Sequence, residues 1–289
     1  MSTAKASILI LIRRLAFGAF VCACLARPLE AQALRTEDAS YRTWLIGNMV
    51  IAGATAGIGA LISHRPVLKA FAIGAAAGAG VFVGKLSIAT EGPVGAWGGR
   101  QIAAISSSVV ANTMLGRKPF EEVVIPVGLV RLYITPATGK VQPSLDFAGV
   151  VSTVAAARRP GTTFDAKESL RNGAIVFKQP WTSDPPGNHV AGVLRIDDIP
   201  REVPRNGNNY VWPAVVSHEL IHASQYDFVS IAWSKPLERA FFNRTAGGRT
   251  IVRYVDLGSM VPVWMAMNQL ISPADRPWER EAQALAPGQ

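Results

Sequence analysis

The sequence has little cysteine, little charge and little histidine. Its two cysteines, Cys22 and Cys24, both precede residue 25, and only four of its 289 residues are histidines. The rest of the chain therefore has no disulfides and no thiolate chemistry. Asp, Glu, Lys and Arg make up 17% of the residues, whereas about a quarter is usual for a soluble globular protein. This composition indicates segments that are exported or embedded in a membrane.

The basic residues do not form a compact block, although the formal net charge is +9. They are scattered as the pairs Arg13-Arg14 and Arg158-Arg159 and as single positions. This pattern argues against nucleic acid as a partner, because nucleic-acid binding needs a clustered basic surface. Attraction to anionic membrane lipid or to cell-envelope polymer explains the charge as well.

The first 33 residues are typical of a secretory signal peptide. Residues 1–14 contain three basic and no acidic side chains, and the apolar run Leu15–Leu25 follows. Ala31-Gln32-Ala33 then offers a cleavage site of the small-x-small type. We expect cleavage after residue 33 and export to the periplasmic side of the cell envelope. An uncleaved membrane anchor is the alternative.

A glycine-rich helical region is predicted over residues 41–116. Trp44–Ile62 is a run of 19 residues without a charge, and Val67–Val83 is a second apolar run interrupted only by Lys69. Glycines recur at four-residue spacing, as Gly53 and Gly57, Gly74 and Gly78, and Gly80 and Gly84. This spacing predicts an antiparallel hairpin that is inserted in the membrane. A hairpin buried in a soluble protein is the alternative, and Gln101–Leu115 is a third predicted helix.

A small, mainly antiparallel sheet is predicted next, within a second domain over residues 120–289. The predicted strands are rich in β-branched residues: Val123–Ile134, Val141–Val154, Gly173–Phe177 and Val190–Ile196. The end of the chain is predicted to be helical. Its predicted helices run from Pro213 to about Phe228, over Val255–Ile271 with Pro262 starting or kinking it, and over Trp278–Leu285. The predicted fold class is α+β.

The strongest chemical signal lies in the helix that begins near Pro213. His218 and His222 are four residues apart, so both imidazoles share one helical face and can bind one metal ion. Glu219 follows the first histidine, close enough to act as a general base on a water that zinc activates. A buried helix with two hydrogen-bonded histidines is the alternative.

A catalytic zinc site needs a third protein ligand. No third histidine follows closely, since Phe228 occupies the position six residues beyond His222. Glu279 and Glu281 are downstream candidates, and on one helix they point about 200° apart, so only one of them can face the metal. The apolar face of this helix does not favour Glu279 over Glu281.

Two segments carry a resemblance to a known group. The chain resembles the gluzincin pattern in residues 218–226, HELIHASQY, followed by residues 277–282, PWEREA. It is also similar to bacterial sequences that read HExxHxxQ and then PxExEA. Some of those sequences are membrane-associated zinc peptidases. The resemblance covers about the last 75 residues. It implies a zinc-dependent peptidase with Glu279 as the third ligand. Gln283 departs from the pattern, where an aspartate is expected. Glu279 and Gln283 are four residues apart on one helical face, so we expect Gln283 to accept the N–H of a metal-binding histidine while Glu279 binds the metal.

Three further residues are weaker candidates. His189 is a possible oxyanion stabiliser, although an exposed loop histidine is the simpler interpretation. Tyr226 and Tyr254 are possible donors to a tetrahedral intermediate, or equally core tyrosines.

Together these patterns predict an exported, membrane-associated zinc peptidase acting on peptides or proteins, with Zn²⁺ held by His218, His222 and Glu279 and with Glu219 as the base. The alternatives are a non-catalytic envelope protein with a structural or vestigial metal site, and a zinc amidase that acts on another envelope amide.

Overall fold

The computed structural model describes residues 37–90, 92–180, 187–198, 202–205, 208–272 and 275–286. The signal peptide predicted over residues 1–33 lies outside these ranges. Within them the chain is a mixture of helices and small sheets, so the predicted α+β class is confirmed.

The elements follow one another in three groups. The first is helical: α1 (Glu37–Ile62), α2 (Val67–Ile88) and α3 (Pro93–Leu115). The second is mixed: β1 (Val123–Val127), β2 (Val130–Thr135), β3 (Lys140–Asp146), α4 (Phe147–Ala157), β4 (Thr163–Phe164), α5 (Ala166–Asn172), β5 (Ile175–Gln179), β6 (Gly187–Val190), β7 (Val193–Asp197), β8 (Glu202–Arg205) and β9 (Asn208–Val211). The third is α6 (Trp212–Val229), a π-helical turn (Ser230–Ser234), α7 (Lys235–Phe242), α8 (Ala246–Tyr254), β10 (Val255–Asp256), α9 (Val261–Leu270) and α10 (Pro277–Leu285).

The predicted helical hairpin is confirmed as α1 and α2. Glycine allows the two backbones to approach closely: a Cβ added to Gly74 would lie 2.5 Å from the carbonyl oxygen of Ala52, and one added to Gly78 would collide with that of Asn48. A side chain at either position would force the helices apart. α3 starts earlier than predicted, because Pro93 provides its first turn. It ends at Gly116, whose backbone is in the left-handed region.

The helices α1 and α2 are each long and apolar enough to cross a membrane. In the most apolar stretch of each, 44% of the residues are buried, so an apolar face of both helices is not covered by the described chain. The exposed side chains include Ile46, Ile51 and Leu61 on α1 and Leu68, Val83 and Leu86 on α2. Insertion of this hairpin in a membrane stays a prediction.

The prediction of a single sheet is wrong, because the described residues form two four-stranded sheets and a separate hairpin. Their strand orders are β1-β2-β3-β10 and β4-β5-β7-β6, and β8 pairs with β9. Each four-stranded sheet is mixed, since β3 and β10 are parallel and so are β5 and β7. The predicted mainly antiparallel pairing is confirmed, since five of the seven described strand pairs are antiparallel. The strand predicted over Val123–Ile134 is a two-stranded hairpin that turns at Gly128, whose φ is +58°.

Two other predicted elements change type partway along. The strand predicted over Val141–Val154 ends at Asp146, whose side chain accepts a hydrogen bond from the backbone N–H of Gly149 and so begins α4. The helix predicted over Val255–Ile271 begins only at Val261, because Val255 and Asp256 pair with β3 instead. Pro262 therefore starts this helix and does not kink it.

The helix α6 lies at the centre of the main hydrophobic core. Its buried residues Leu220 and Ile221 share this core with Leu194 and Ile196 of β7. The same core takes in Phe82 and Ile88 of α2 and Ala282 and Leu285 of α10. A helix packed on several sides needs no single apolar stripe. The helices α2 and α10 thus pack directly on the helix that carries His218 and His222.

Candidate metal centre

Three side chains from two helices converge at one point. His218 and His222 are one turn apart on α6, and Glu279 lies in the first turn of α10. The two Nε2 atoms are 3.0 Å apart, and the Glu279 carboxylate oxygen Oε2 lies 3.1 Å from Nε2 of His222 and 3.4 Å from Nε2 of His218. These three residues are a group that could hold a metal ion.

The spacing of the three atoms fits one tetrahedral ion. Zinc binds histidine nitrogen at about 2.0–2.1 Å and carboxylate oxygen at about 2.0–2.2 Å, which places neighbouring ligand atoms of a tetrahedral site roughly 3.3 Å apart. The three separations of 3.0, 3.1 and 3.4 Å lie close to this value. Only a small outward movement of the ligands is needed to admit an ion.

Burial differs among the three ligands. The side chains of His218 and His222 are 5% and 9% exposed, whereas that of Glu279 is 35% exposed, so the group opens to solvent on the α10 side. Burial raises the pKa of Glu279, but hydrogen bonds from His218 and then His222 lower it more, well below its usual range. Glu279 is therefore ionised at neutral pH, as a metal ligand would have to be.

The tautomer of His222 is set by Gln225. Nδ1 of His222 lies 2.8 Å from Oε1 of Gln225. The amide nitrogen of Gln225 donates to the backbone oxygen of Trp278 and to Glu281, so its oxygen must face the histidine. Nδ1 then carries a proton, so a metal ion at this position would replace the Nε2 proton that His222 shares with Glu279 and would bind the Nε2 lone pair. The sequence argument gave this role to Gln283, and the structure assigns it to Gln225.

Glu281 does not join the metal-binding group but anchors it to the hairpin. One carboxylate oxygen accepts from Lys85 at 2.6 Å and from Gln225 at 2.8 Å, and the other accepts from Asn48 at 2.5 Å. Lys85 also donates to Asn48 at 2.9 Å. A buried polar chain therefore runs from α1 and α2 through Glu281 to Gln225 and the metal ligand. Sequence reasoning missed Asn48 and Lys85, although a lysine within an apolar helix was a usable signal.

Glu219 is buried beside the group, on the turn of α6 that carries both histidines. Burial is the largest influence on its carboxyl group and raises the pKa to about 7. The positive charges of His222 and Arg195 lower this pKa, and the negative charge of Glu279 raises it. Gly187 of β6 leaves room for the side chain, since a Cβ there would lie 2.7 Å from Oε1 of Glu219.

The structure places His189 near the group, contrary to the interpretation as an exposed loop residue. It lies on β6, half-buried, with its ring stacked at 6.4 Å from the ring of His222. Burial, followed by the charge of His222, holds its pKa well below the usual value, so the imidazole is neutral. Its Nε2 accepts the N–H of Gly192 at 2.7 Å, which leaves the proton on Nδ1.

Neither candidate tyrosine has its hydroxyl group in the centre. The hydroxyl group of Tyr226 donates to the carboxylate of Asp146 at 2.8 Å, and Tyr254 is 50% exposed beside Arg253. The roles proposed for them in binding a tetrahedral intermediate are therefore not supported. Tyr226 is buried, with Arg131 over its ring.

A buried ionic network fixes the second half of α6. Asp227 accepts from Arg100 at 2.8 Å and lies 3.4 Å from Arg131. Arg131 also pairs with Asp146 at 3.0 Å and Asp256 at 3.2 Å. Lys235 pairs with Asp256 as well, so three cations balance three carboxylates. Such a network costs desolvation energy, and we interpret it as fixing the position of the metal-binding helix.

The resemblance of residues 218–226 and 277–282 to gluzincins stands without support from wider similarity. The chemistry of the centre is therefore inferred from its own residues and distances. Comparison of the chain with protein-family models, with curated proteins and with solved structures finds no match.

Proposed function

We propose that the protein is a zinc-dependent peptidase. The observation that carries this proposal is the convergence of His218, His222 and Glu279 beside the buried carboxyl group of Glu219. Two imidazoles and one carboxylate are a donor set that suits zinc, and three protein ligands leave a fourth position for water or substrate. A structural zinc site usually has four protein ligands, so the donor count favours the catalytic interpretation over the structural one.

Glu219 supplies the acid–base chemistry in this proposal. Zinc, when bound, lowers the pKa of a coordinated water towards about 7 and polarises the carbonyl group of the substrate. Burial raises the pKa of Glu219 to about 7 in the metal-free centre, and a bound dication would lower it. The carboxylate could then accept a proton from the attacking water and return it to the leaving amine. It lies beside His218 in sequence but outside the group of ligand atoms, as this role requires.

The strand β6 provides a place for an extended substrate. It ends the strand order of its sheet and, among the described residues, pairs only with β7. Its first residue, Gly187, contacts the side chain of Glu219, and His189 stacks on His222, so the strand runs past the centre. A peptide that pairs with this edge would be held by main-chain hydrogen bonds, which suits substrates of varied sequence.

The proposed location is the membrane of the cell envelope, on the exported side. The predicted signal peptide and the two helices long enough to cross a membrane support this location. Asn48 of α1 and Lys85 of α2 lie at one end of the hairpin, and both donate to Glu281, which connects this end to the centre. A substrate close to the membrane surface is the natural consequence.

The test compares Glu219→Gln with the wild type on a library of fluorogenic peptides. The wild type should lose cleavage when zinc is chelated and regain it when zinc is restored. Glu219→Gln keeps the side-chain shape and should keep zinc, but should lose at least about a hundredfold in turnover, because general acid–base catalysis contributes roughly 10²–10⁴. Glu121→Gln, at an exposed position outside the centre, is the control and should cleave normally.

Two results would contradict the proposal. Unchanged cleavage by Glu219→Gln would show that this carboxyl group is not the base. A zinc-loaded wild type without peptidase activity would favour the structural site, or the amidase if an envelope amide were cleaved instead.

A further inference from the structure

A cavity of about 480 Å³ lies apart from the metal centre. It is bounded by α4, by β6 and β7, and by the connection from β10 into α9. Its lining is mostly apolar, with side chains such as Phe147, Val151, Val193 and Met265. The volume falls within the roughly 300–1,000 Å³ that is usual for small-molecule sites.

The cavity is on the face of its sheet that points away from α6. Leu194 and Ile196 of β7 pack in the core with α6, and residues between them on a strand point to the opposite face. Val193 accordingly packs with Ala156 of α4 and lines the cavity, as does Arg195. A ligand there would not occupy the position of the metal ion.

Two guanidinium groups give the cavity a positive charge. Arg159 and Arg195 both line it, whereas no lining residue is acidic. Within the part of the chain that the structure describes, neither arginine forms an ion pair with a carboxylate, and Arg195 donates one hydrogen bond, at 2.8 Å, to the side-chain oxygen of Asn188. Burial and then the charge of Arg159 lower the pKa of Arg195, and the charge of Glu219 partly offsets them, so the two guanidinium groups are close enough to repel each other. A bound oxyanion would relieve this repulsion and accept hydrogen bonds from both.

The helices that border the cavity expose an apolar surface. Phe147, Val151 and Val154 of α4 are 44–51% exposed, and Val263 and Met265 of α9 are 47% and 54% exposed. Apolar side chains clustered around a cavity mouth are typical of a surface that meets a lipid or another apolar partner.

We propose that this cavity binds the acyl chain of an anionic amphiphile, with the oxyanion head group held by Arg159 and Arg195. The shared chemistry is a long apolar chain that ends in a carboxylate or phosphate. An acyl chain is favoured over a peptide because, apart from the two arginines, the lining side chains offer only the hydroxyl groups of Ser152 and Ser259. A buried peptide would leave amide groups unpaired, whereas an acyl chain has none.

The test is calorimetric titration of the full chain with decanoate, dodecanoate and tetradecanoate below their micelle concentrations, and with the alcohols of equal length. Each added methylene should tighten binding about fourfold until the cavity is full. The acids should bind at least about tenfold more tightly than the alcohols, because an ionic hydrogen bond contributes roughly 1.5–3 kcal/mol, which is about tenfold or more.

Matched variants locate the site. Arg159→Gln should weaken acid binding by about tenfold and leave alcohol binding unchanged. Arg158 is exposed like Arg159 but does not line the cavity, so Arg158→Gln should bind like the wild type. Ser152→Phe should occupy part of the cavity and weaken binding of both ligands. Unchanged circular dichroism and thermal unfolding show that each variant is folded.

A second arm distinguishes a free fatty acid from a membrane lipid. The same variants are tested for binding to phosphatidylglycerol and phosphatidylcholine vesicles. Selective loss of phosphatidylglycerol binding in Arg159→Gln identifies the lipid as the source, and loss of free-acid binding alone identifies the fatty acid.

Three results would overturn the proposal. They are no binding of any acid, equal binding of acids and alcohols, and tighter binding of an apolar peptide with a free C-terminal carboxylate, which would make the cavity a peptide subsite. The proposal is independent of the peptidase activity, since none of the three metal-binding candidates and no part of Glu219 lines the cavity.

Discussion

Lys85→Met should destabilise the protein and weaken its metal site at the same time. Lys85 and Glu281 are 5% and 7% exposed and 2.6 Å apart. Removing one partner of a buried ion pair leaves the other charge uncompensated, which costs roughly 3–5 kcal/mol. Because a whole domain is usually stable by only about 5–15 kcal/mol, this loss is readily measured.

The effect on the metal follows from the same contacts. Glu281 accepts from Gln225, and Gln225 accepts from the N–H of His222. If Glu281 turns away from Gln225 to reach water, the orientation of His222 is no longer fixed. Loss of such an outer partner usually lowers metal affinity by about 10–100-fold.

The assay is urea unfolding followed by circular dichroism, together with competitive zinc titration. Lys69→Met is the matched control, because it makes the same change at an exposed position of the same helix and should alter the free energy of unfolding by no more than about 0.5 kcal/mol. The double variant Lys85→Met/Glu281→Gln should be more stable than Lys85→Met alone, since no unpaired charge remains. The reasoning is refuted if Lys85→Met is as stable as Lys69→Met and binds zinc like the wild type.

Three other predictions address the ligand, the base and the hairpin. Glu279→Ala removes a ligand and should reduce zinc affinity by more than Glu281→Ala, measured in proteins shown by circular dichroism to be folded; the reverse order would make Glu281 the ligand. Gly187→Ala should displace the side chain of Glu219 and lower peptide turnover at least about tenfold, while zinc stays bound. Normal turnover in this variant would show that β6 does not hold the base in position. Residues 44–83 should stay in the membrane during carbonate extraction, and a protein that is washed off as a peripheral one would contradict insertion.

The parts of the fold that the sequence predicted are those with strong local signals. The four-residue spacing of His218 and His222 defines one helical face whatever surrounds it, and the apolar runs of α1 and α2 are long enough to outweigh other preferences. The segment Phe147–Val154 is predicted to continue a strand because it is rich in β-branched residues. The cap at Asp146 and the tertiary packing make Phe147–Ala157 a helix instead. Val255 and Asp256 form a strand only because β3 lies beside them.

The surroundings of the metal-binding group could not be predicted in the same way. Asn48 and Glu281 are 233 positions apart, and nothing local links them. The neutral state of His189 and the raised pKa of Glu219 arise from burial against other elements, which no single segment encodes. The choice of Gln225 over Gln283 likewise depends on how α10 packs on α6.

Zinc analysis of the purified protein tests the central claim most directly. Wild-type protein prepared without chelators, and a His218→Ala/His222→Ala variant prepared in parallel, are compared by elemental analysis after circular dichroism has shown that both are folded. The account predicts about one zinc per chain in the wild type and none in the variant. Full zinc content in the variant, or a folded wild type that takes up no zinc on titration, would contradict it.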